Sequence, residues 1–147
     1  MTLLQSKLPV QSIHIHLEYD SKEEVIDRLC KTCSVGPDDD LFNAIMNREK
    51  EIATYIGDFC AIPHAHIASL KETVVTCASL SRPVTWDDIG DEVILVFLLA
   101  GPSANASVHL RLLSQLARML HNREIRNRLI DATTPQEFHS CLFSKEG

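Results

Sequence analysis

Apolar positions in this chain recur with two different periods, and the changes of period mark out its elements. From Ser12 to Tyr19 the sequence SIHIHLEY alternates, with Ile13, Ile15 and Leu17 on one side and His14 and His16 on the other. That two-residue period predicts a half-buried strand. Asp20-Ser21 then leads into SKEEVIDRLCKTC (21–33), where Val25, Ile26 and Leu29 fall at helical spacing and Ser21 with Glu24 forms a capping box. Gly36-Pro37 breaks the chain, and DDDLFNAIMNREKEIATY (38–55) predicts a second helix with its acids Asp38, Asp39 and Asp40 in the first turn, where the helix dipole favours them. The apolar run Cys60-Ala61-Ile62 predicts a short strand that stops at Pro63. ETVVTCASL (72–80) and DEVILVFLLA (91–100) predict two more strands; Val93 to Ala100 is apolar on both faces, the mark of a central strand. Gly101-Pro102 ends it. SANASVHLRLLSQLARML (103–120) predicts an amphipathic helix with Val108, Leu112, Leu116 and Leu120 in register, and REIRNRLIDA and TPQEFHSCLF predict two shorter ones. Helices and strands interleave, so the expected fold is α/β: a mixed central β-sheet flanked by helices on both faces, as a single domain over residues 1–147.

Composition narrows the function classes. The chain is 45% hydrophobic, enough for one real core, and carries 20 acidic against 14 basic residues, a net charge of −6. That balance argues against a nucleic-acid partner, which would want clustered Lys and Arg. The longest apolar run, Val93 to Ala100, is far shorter than the roughly 20 residues that span a bilayer, and the N-terminus has no long apolar run of a signal peptide, so no direct membrane insertion is expected. The five cysteines are odd in number and sit mostly in apolar contexts, which reads as reduced, buried thiols in a cytoplasmic protein. Cys30-x-x-Cys33 lies inside a helical pattern with no second ligand pair, so helix packing is preferred to zinc or redox chemistry.

The candidate chemistry lies in GDFCAIPHAHIASL (57–70). Pro63 has no N–H and a fixed φ, so it places His64 at a strand end in a set direction. A histidine there, largely neutral at pH 7, keeps a lone pair free for attack. If a carbonyl holds Nδ1–H, Nε2 points outward, a geometry suited to phosphoryl transfer, where positioning and charge neutralisation do most of the work. Without further context, the commoner meaning of this pattern is a surface histidine in a turn.

The wider context resembles a known family. In REKEIATYIGDFCAIPHA, the residues Arg48, Glu49, Thr54, Ile56, Gly57, Ala61, Ile62, Pro63, His64 and Ala65 match in register the pattern of the fructose/mannitol enzyme IIA domains of the bacterial sugar phosphotransferase system. That family's second landmark, a His-Leu on a helix after an apolar strand, is matched by His109-Leu110, and Trp86 after Pro83-Val84 also fits. Ala53 stands where the family usually has Ser, and Phe59 where it has a second Gly; a phenylalanine there is compatible with an inward strand residue.

The resemblance implies a phosphohistidine carrier. His64 would accept a phosphoryl group from the phosphocarrier protein HPr or a paralogue, His109 would hydrogen-bond the group or orient His64, and Arg48 would offset its charge, with no cofactor and no metal. The outlet would be an enzyme IIB in sugar transport, or a regulatory target protein in the nitrogen-regulatory branch, which REIRNRLIDATTPQEF resembles somewhat more. A non-catalytic binding module on the same fold is a further alternative. The docking face is expected to be apolar around His64, with Phe59 a candidate contact. His66 shares the face of His64 on an extended chain, so it either contacts the phosphoryl group or is solvated. His121 and His139 occupy helix positions expected to be solvated, and the H-x-H pairs His14/His16 and His64/His66 are too weak a signal for a metal site.

Overall fold

The computed structural model describes residues 2–33 and 40–143; the expected break at Gly36-Pro37 and the acids Asp38 and Asp39 lie outside them. In chain order these residues form α1 (Leu3–Lys7), β1 (Ile13–Leu17), α2 (Lys22–Thr32), α3 (Asp40–Glu51), β2 (Tyr55–Gly57), β3 (Cys60–Ala61), β4 (His64–His66), β5 (Val74–Thr85), β6 (Glu92–Gly101), α4 (Ala106–His121), α5 (Arg123–Asp131) and α6 (Pro135–Phe143). The strands make one six-stranded sheet in the order β1-β5-β6-β3-β2, with β4 also on β6 beyond β3. Pairing is mixed: β1 runs parallel to β5, β3 and β4 parallel to β6, and β5 antiparallel to β6.

The apolar run of β6 is central, as expected, and it separates two cores. Val96, Leu98 and Ala100 pack with Val25, Ile26 and Leu29 of α2 and Leu41 and Ile45 of α3. Leu95, Phe97 and Leu99 pack on the opposite face with Leu4 of α1, Leu112, Leu116 and Leu120 of α4, Leu129 of α5 and Phe138 of α6. Alternation along a strand buried on both faces sends successive side chains to different layers. Helices therefore cover both faces of the sheet.

Several local expectations change. The strand β1 keeps Ile13 and Ile15 with the α4 layer, but Leu17 packs with the α2/α3 layer. His16 has φ 50 and the β1/β5 register slips between His14 and Leu17, so one extra residue turns Leu17 to the other face. The second helix ends at Glu51 and does not run on to Tyr55, which begins β2. The Glu49 carboxylate accepts the Thr54 N–H at 3.2 Å and thus takes up a backbone donor that a longer helix would have used. The strand from Val74 continues to Thr85, with a register shift between Ser79 and Val84. Ahead of α4, Ser103–Asn105 form a 3-10 turn, so His109 is the fourth residue of that helix. The unexpected α1 is capped by Thr2, whose side chain accepts the Gln5 N–H, and is seated through Leu4 and Leu8. The Ser21 capping box forms as read: Ser21 Oγ accepts from Glu24 N–H at 3.2 Å. All five cysteines are free, and Cys30 is buried with its thiol pushed up to about 12 by burial, far from a reactive thiolate.

Candidate functional site

Pro63 lies in the link between β3 and β4, and the pairing with β6, expected to stop there, resumes at His64, so the site projects from β4. The Ile62 N–H donates to the Thr54 carbonyl at 3.1 Å, and the Leu99 N–H donates to the Pro63 carbonyl at 2.9 Å, so the proline remains on the sheet through its acceptor alone. Beyond it β4 pairs His64 with Leu99, Ala65 with Ala100 and His66 with Gly101. Ala65 is buried in the α2/α3 layer, so His64 and His66 project to the other side, toward α4.

His64 Nδ1 lies 2.8 Å from the Ile62 carbonyl oxygen. A carbonyl can only accept, so Nδ1 carries the proton and Nε2 keeps the lone pair. Burial holds the imidazole below the usual histidine value; Arg48 and His66 push the same way, while the Ile62 hydrogen bond and Glu49 oppose them. The unprotonated nucleophilic form is favoured at neutral pH.

His109, on the first turns of α4, is only 4% exposed. Its ring lies 5.5 Å from that of His64 in a T-shaped arrangement and 4.3 Å from that of His66. Neither ring nitrogen has a hydrogen-bond partner among the described residues. Burial, then the neighbouring His66 and His64, lower its pKa to about 4, so at pH 7 it is a neutral ring with one unspent donor and one unspent acceptor. An unsatisfied buried polar group costs about 1–3 kcal/mol. A polar group entering beside it would recover part of that cost.

The third expected residue, Arg48, comes from α3. Its Nη1 donates to the Ile52 carbonyl at 2.9 Å, capping its own helix, and its charge is felt at His64. A cleft of about 570 Å³ joins these groups; it is lined by Asn47, Arg48 and Glu51 of α3, His64 and His66 of β4, and His109 and Leu110 of α4, among others. The structure thus brings Arg48, His64 and His109 together, and adds His66.

It does not bring Phe59 to them. The Phe59 carbonyl accepts from Ile94 and Leu95 near the start of β6, whereas His64 pairs with Leu99 near its end. Five residues of parallel strand separate the two by about 16 Å, at ~3.3 Å per residue. Phe59 is not an inward strand residue either: with φ 65 and 48% exposure it closes a turn in which Gly57 and Asp58 also have positive φ. The apolar residue at the mouth of the cleft is Leu110, 65% exposed.

Sequence reasoning missed the support behind α3. Glu49, buried, pairs with Lys22 Nζ at 3.0 Å and accepts from both the N–H and the hydroxyl of Thr54. Trp86 Nε1 donates to Thr54 Oγ1 at 3.4 Å, and Lys22 also donates to the Trp86 carbonyl at 2.8 Å. The signal was the adjacent pair Arg48-Glu49: successive helical residues point about 100° apart, so one meets the cleft while its neighbour turns inward. The remaining histidines have other settings. His14 Nε2 contacts Thr32 Oγ1 at 2.7 Å, His121 is exposed, and His139, expected to be solvated, is half-buried with its ring 4.8 Å from that of Phe143. Among the described residues, no group of three or more His, Cys, Asp or Glu side chains is arranged to hold a metal ion. Nor is any helix among them long and apolar enough to cross a membrane.

This geometry has a counterpart in known proteins. The family model described as "Phosphoenolpyruvate-dependent sugar phosphotransferase system, EIIA 2" matches residues 6–145. The chain belongs to this EIIA family. EIIA domains are components of a phosphotransferase system. The chain is 34% identical over 140 residues to the PTS system 2-O-alpha-mannosyl-D-glycerate-specific EIIABC component of Escherichia coli (strain K12), covering 90% of this chain and 21% of that one. It therefore spans about a fifth of that relative's length. The crystal structure of nitrogen regulatory protein IIA-Ntr from Neisseria meningitidis matches with a TM-score of 0.89 and 27% identity, over 97% of this chain and 100% of that one. Enzyme IIAMTL from Escherichia coli, solved in complex with phosphorylated enzyme IIBMTL, matches with a TM-score of 0.75 and 25% identity, over 92% and 96%. This EIIA fold has both sugar-specific and nitrogen-regulatory relatives.

Proposed function

We propose that this chain is a phosphohistidine carrier that takes its phosphoryl group on His64 Nε2. The observation that carries this reading is the Nδ1 contact to the Ile62 carbonyl at 2.8 Å, which leaves Nε2 as the free nucleophile in a cleft shared with His109 and Arg48. The donor is a phosphohistidine of HPr or a paralogue. Its P–N bond breaks and the electron pair returns to the donor imidazole, while the His64 Nε2 lone pair forms the new P–N bond. The proton stays on Nδ1, hydrogen-bonded to the Ile62 carbonyl throughout, so no base is needed.

His109 offers its unspent N–H to a phosphoryl oxygen, and the first turn of α4, at the positive end of the helix dipole, favours the anion. Arg48 offsets the charge. At about 4 Å and an effective dielectric near 20, one such pair contributes up to about 4 kcal/mol before desolvation is subtracted. Because His109 is held neutral, it is suited to donate a hydrogen bond rather than to carry the group. The site operates in the cytoplasm, where such donors are found. Onward transfer goes to a regulatory target whose binding depends on phosphorylation; the TM-score of 0.89 to IIA-Ntr supports this branch. The second reading, delivery to an enzyme IIB for sugar uptake, is supported by the 34% identity to a sugar-specific component.

The test is labelling with phosphorylated HPr, followed by mass-spectrometric mapping. His64→Ala is expected to abolish acid-labile, base-stable incorporation. His109→Ala is expected to keep acceptance and to slow onward transfer, because a hydrogen bond made in the transition state is lost. Normal labelling of His64→Ala, or phosphate on His109 of the unmodified chain, would overturn the assignment.

A further inference from the structure

His66 is the imidazole of the cleft that the carrier reading leaves without a task. Its place is well defined. The backbone of β4 holds it opposite Gly101, and the next N–H, of Ile67, donates to the Gly101 carbonyl at 2.9 Å. Its side chain is exposed, yet its ring lies against that of buried His109, with centroids 4.3 Å apart and planes tilted by 37°. It leaves the same strand face as His64, two residues on, so its polar edge is presented at the mouth of the cleft into which His64 Nε2 opens.

We propose that His66 is a phosphoryl-binding residue, donating a ring N–H to an oxygen of the group carried on His64. This rests on the reading of His64 as the carrier. Three further observations argue for it. A phosphoryl group presents three strong acceptor oxygens, more than the single N–H of neutral His109 can meet, and Arg48, which keeps its other guanidinium donors, is tethered on the α3 side by its Nη1 bond to the Ile52 carbonyl. The cleft also contains Glu51, whose carboxylate repels a dianion, so a donor on the β4 side has charge to offset. Finally, an imidazole supplies an N–H whether neutral or protonated, so the contact survives changes of pH. The charged and titratable groups that line the cleft are Arg48 and Glu51 from α3, His64 and His66 from β4 and His109 from α4.

The competing role is packing, with His66 merely covering one face of His109. Three substitutions separate the two. His66→Phe keeps a ring on His109 without an N–H, His66→Gln keeps a donor without the ring, and His66→Ala removes both. Potassium phosphoramidate serves as the donor, so protein docking does not enter: its P–N bond breaks and ammonia leaves as the bond to His64 Nε2 forms. The rate of labelling and the lifetime of phospho-His64 are followed by phosphorus NMR, with thermal unfolding as a check on folding. The unmodified chain and His66→Gln are expected to label within about threefold of each other, and His66→Phe and His66→Ala about tenfold more slowly, the scale of one hydrogen bond to a charged group. A His66→Phe chain that labels like the unmodified one, or a His66→Gln chain as slow as His66→Phe, would overturn the proposal and leave the carrier reading standing. An unmodified chain that takes no phosphate on His64 would sink both. As an independent readout, the His66 ring N–H is expected to exchange with water more slowly once His64 is phosphorylated; no change would count against the contact.

Discussion

Glu49→Ala tests the support beneath the cleft. Glu49 is 4% exposed and holds three donors: Lys22 Nζ, the Thr54 N–H and the Thr54 hydroxyl. Removing the carboxylate leaves Lys22, whose side chain is 14% exposed, with the Trp86 carbonyl as its remaining partner among these groups, and takes both acceptors from Thr54. Breaking a buried pair by deleting one partner costs about 3–5 kcal/mol. The solvent window at Lys22 puts the cost near the lower figure, about 3 kcal/mol. For a chain of this length each kcal/mol lowers Tm by roughly 2–4 °C, so a drop of about 6–12 °C is expected. The assay is built in: Trp86 is the sole tryptophan, and it is 1% exposed, so its fluorescence follows urea unfolding directly. The Lys22→Met/Glu49→Leu double variant leaves no charge buried and is expected to be more stable than Glu49→Ala alone. Thr54 also accepts the Ile62 N–H just before Pro63, so Glu49→Ala is further expected to slow labelling of His64. A Glu49→Ala chain within about 1 kcal/mol of the unmodified one would refute the reasoning, as would a double variant that costs the sum of its singles.

Two more outcomes are expected. His109 titrates near 4 when folded, against an ordinary value of about 6.5 unfolded. The unfolded chain therefore binds the extra proton first, and the contribution of this residue, complete above about pH 7, should be lost as pH drops from about 6.5 to 4, by up to about 3 kcal/mol. His14 and His64, also held low by burial, act in the same direction. Urea unfolding at pH 7.5 and 5 checks this; His109→Leu should flatten part of the slope, and a flat profile in the unmodified chain would contradict it. Gly101→Ala should destabilise by about 1–3 kcal/mol, because an added Cβ would lie 2.5 Å from Thr73 Oγ1 and 3.1 Å from the Thr73 Cα, and thermal unfolding measures it.

What could be read in advance follows from where the information lies. The central strand β6 was legible because a run apolar on both faces has one home, inside a covered sheet. Ser21 and Glu24 announced the start of α2 because capping is a local bond between residues three apart. The placement of His64 beside the end of β3 was legible through Pro63, whose ring acts on its immediate neighbour. Leu17 was misread because a single positive φ at His16 reverses a face, and no periodicity records it. Phe59 was misplaced because proximity along the chain says nothing about which end of a strand a residue occupies; only the pairing of β3 and β4 with β6 shows that. The Lys22–Glu49–Thr54–Trp86 group joins residues as far as 64 positions apart; Glu49, Thr54 and Trp86 stood out only as matches to a pattern, and nothing local shows that they bond to one another and to Lys22.

The two cores on either side of the sheet meet different halves of the cleft. Arg48 belongs to a helix rooted in one layer and His109 to a helix rooted in the other, and the sheet that parts them is the wall to which His64 and His66 are fixed. The cleft is therefore a seam between two separately packed slabs, one on each face of the sheet. A shaved methyl group deep in either slab lets its helix settle, and the width of the seam changes although nothing in it has been altered. Defects of this site can thus be inherited from positions that never see solvent, and a loss on one side can be compensated on the other.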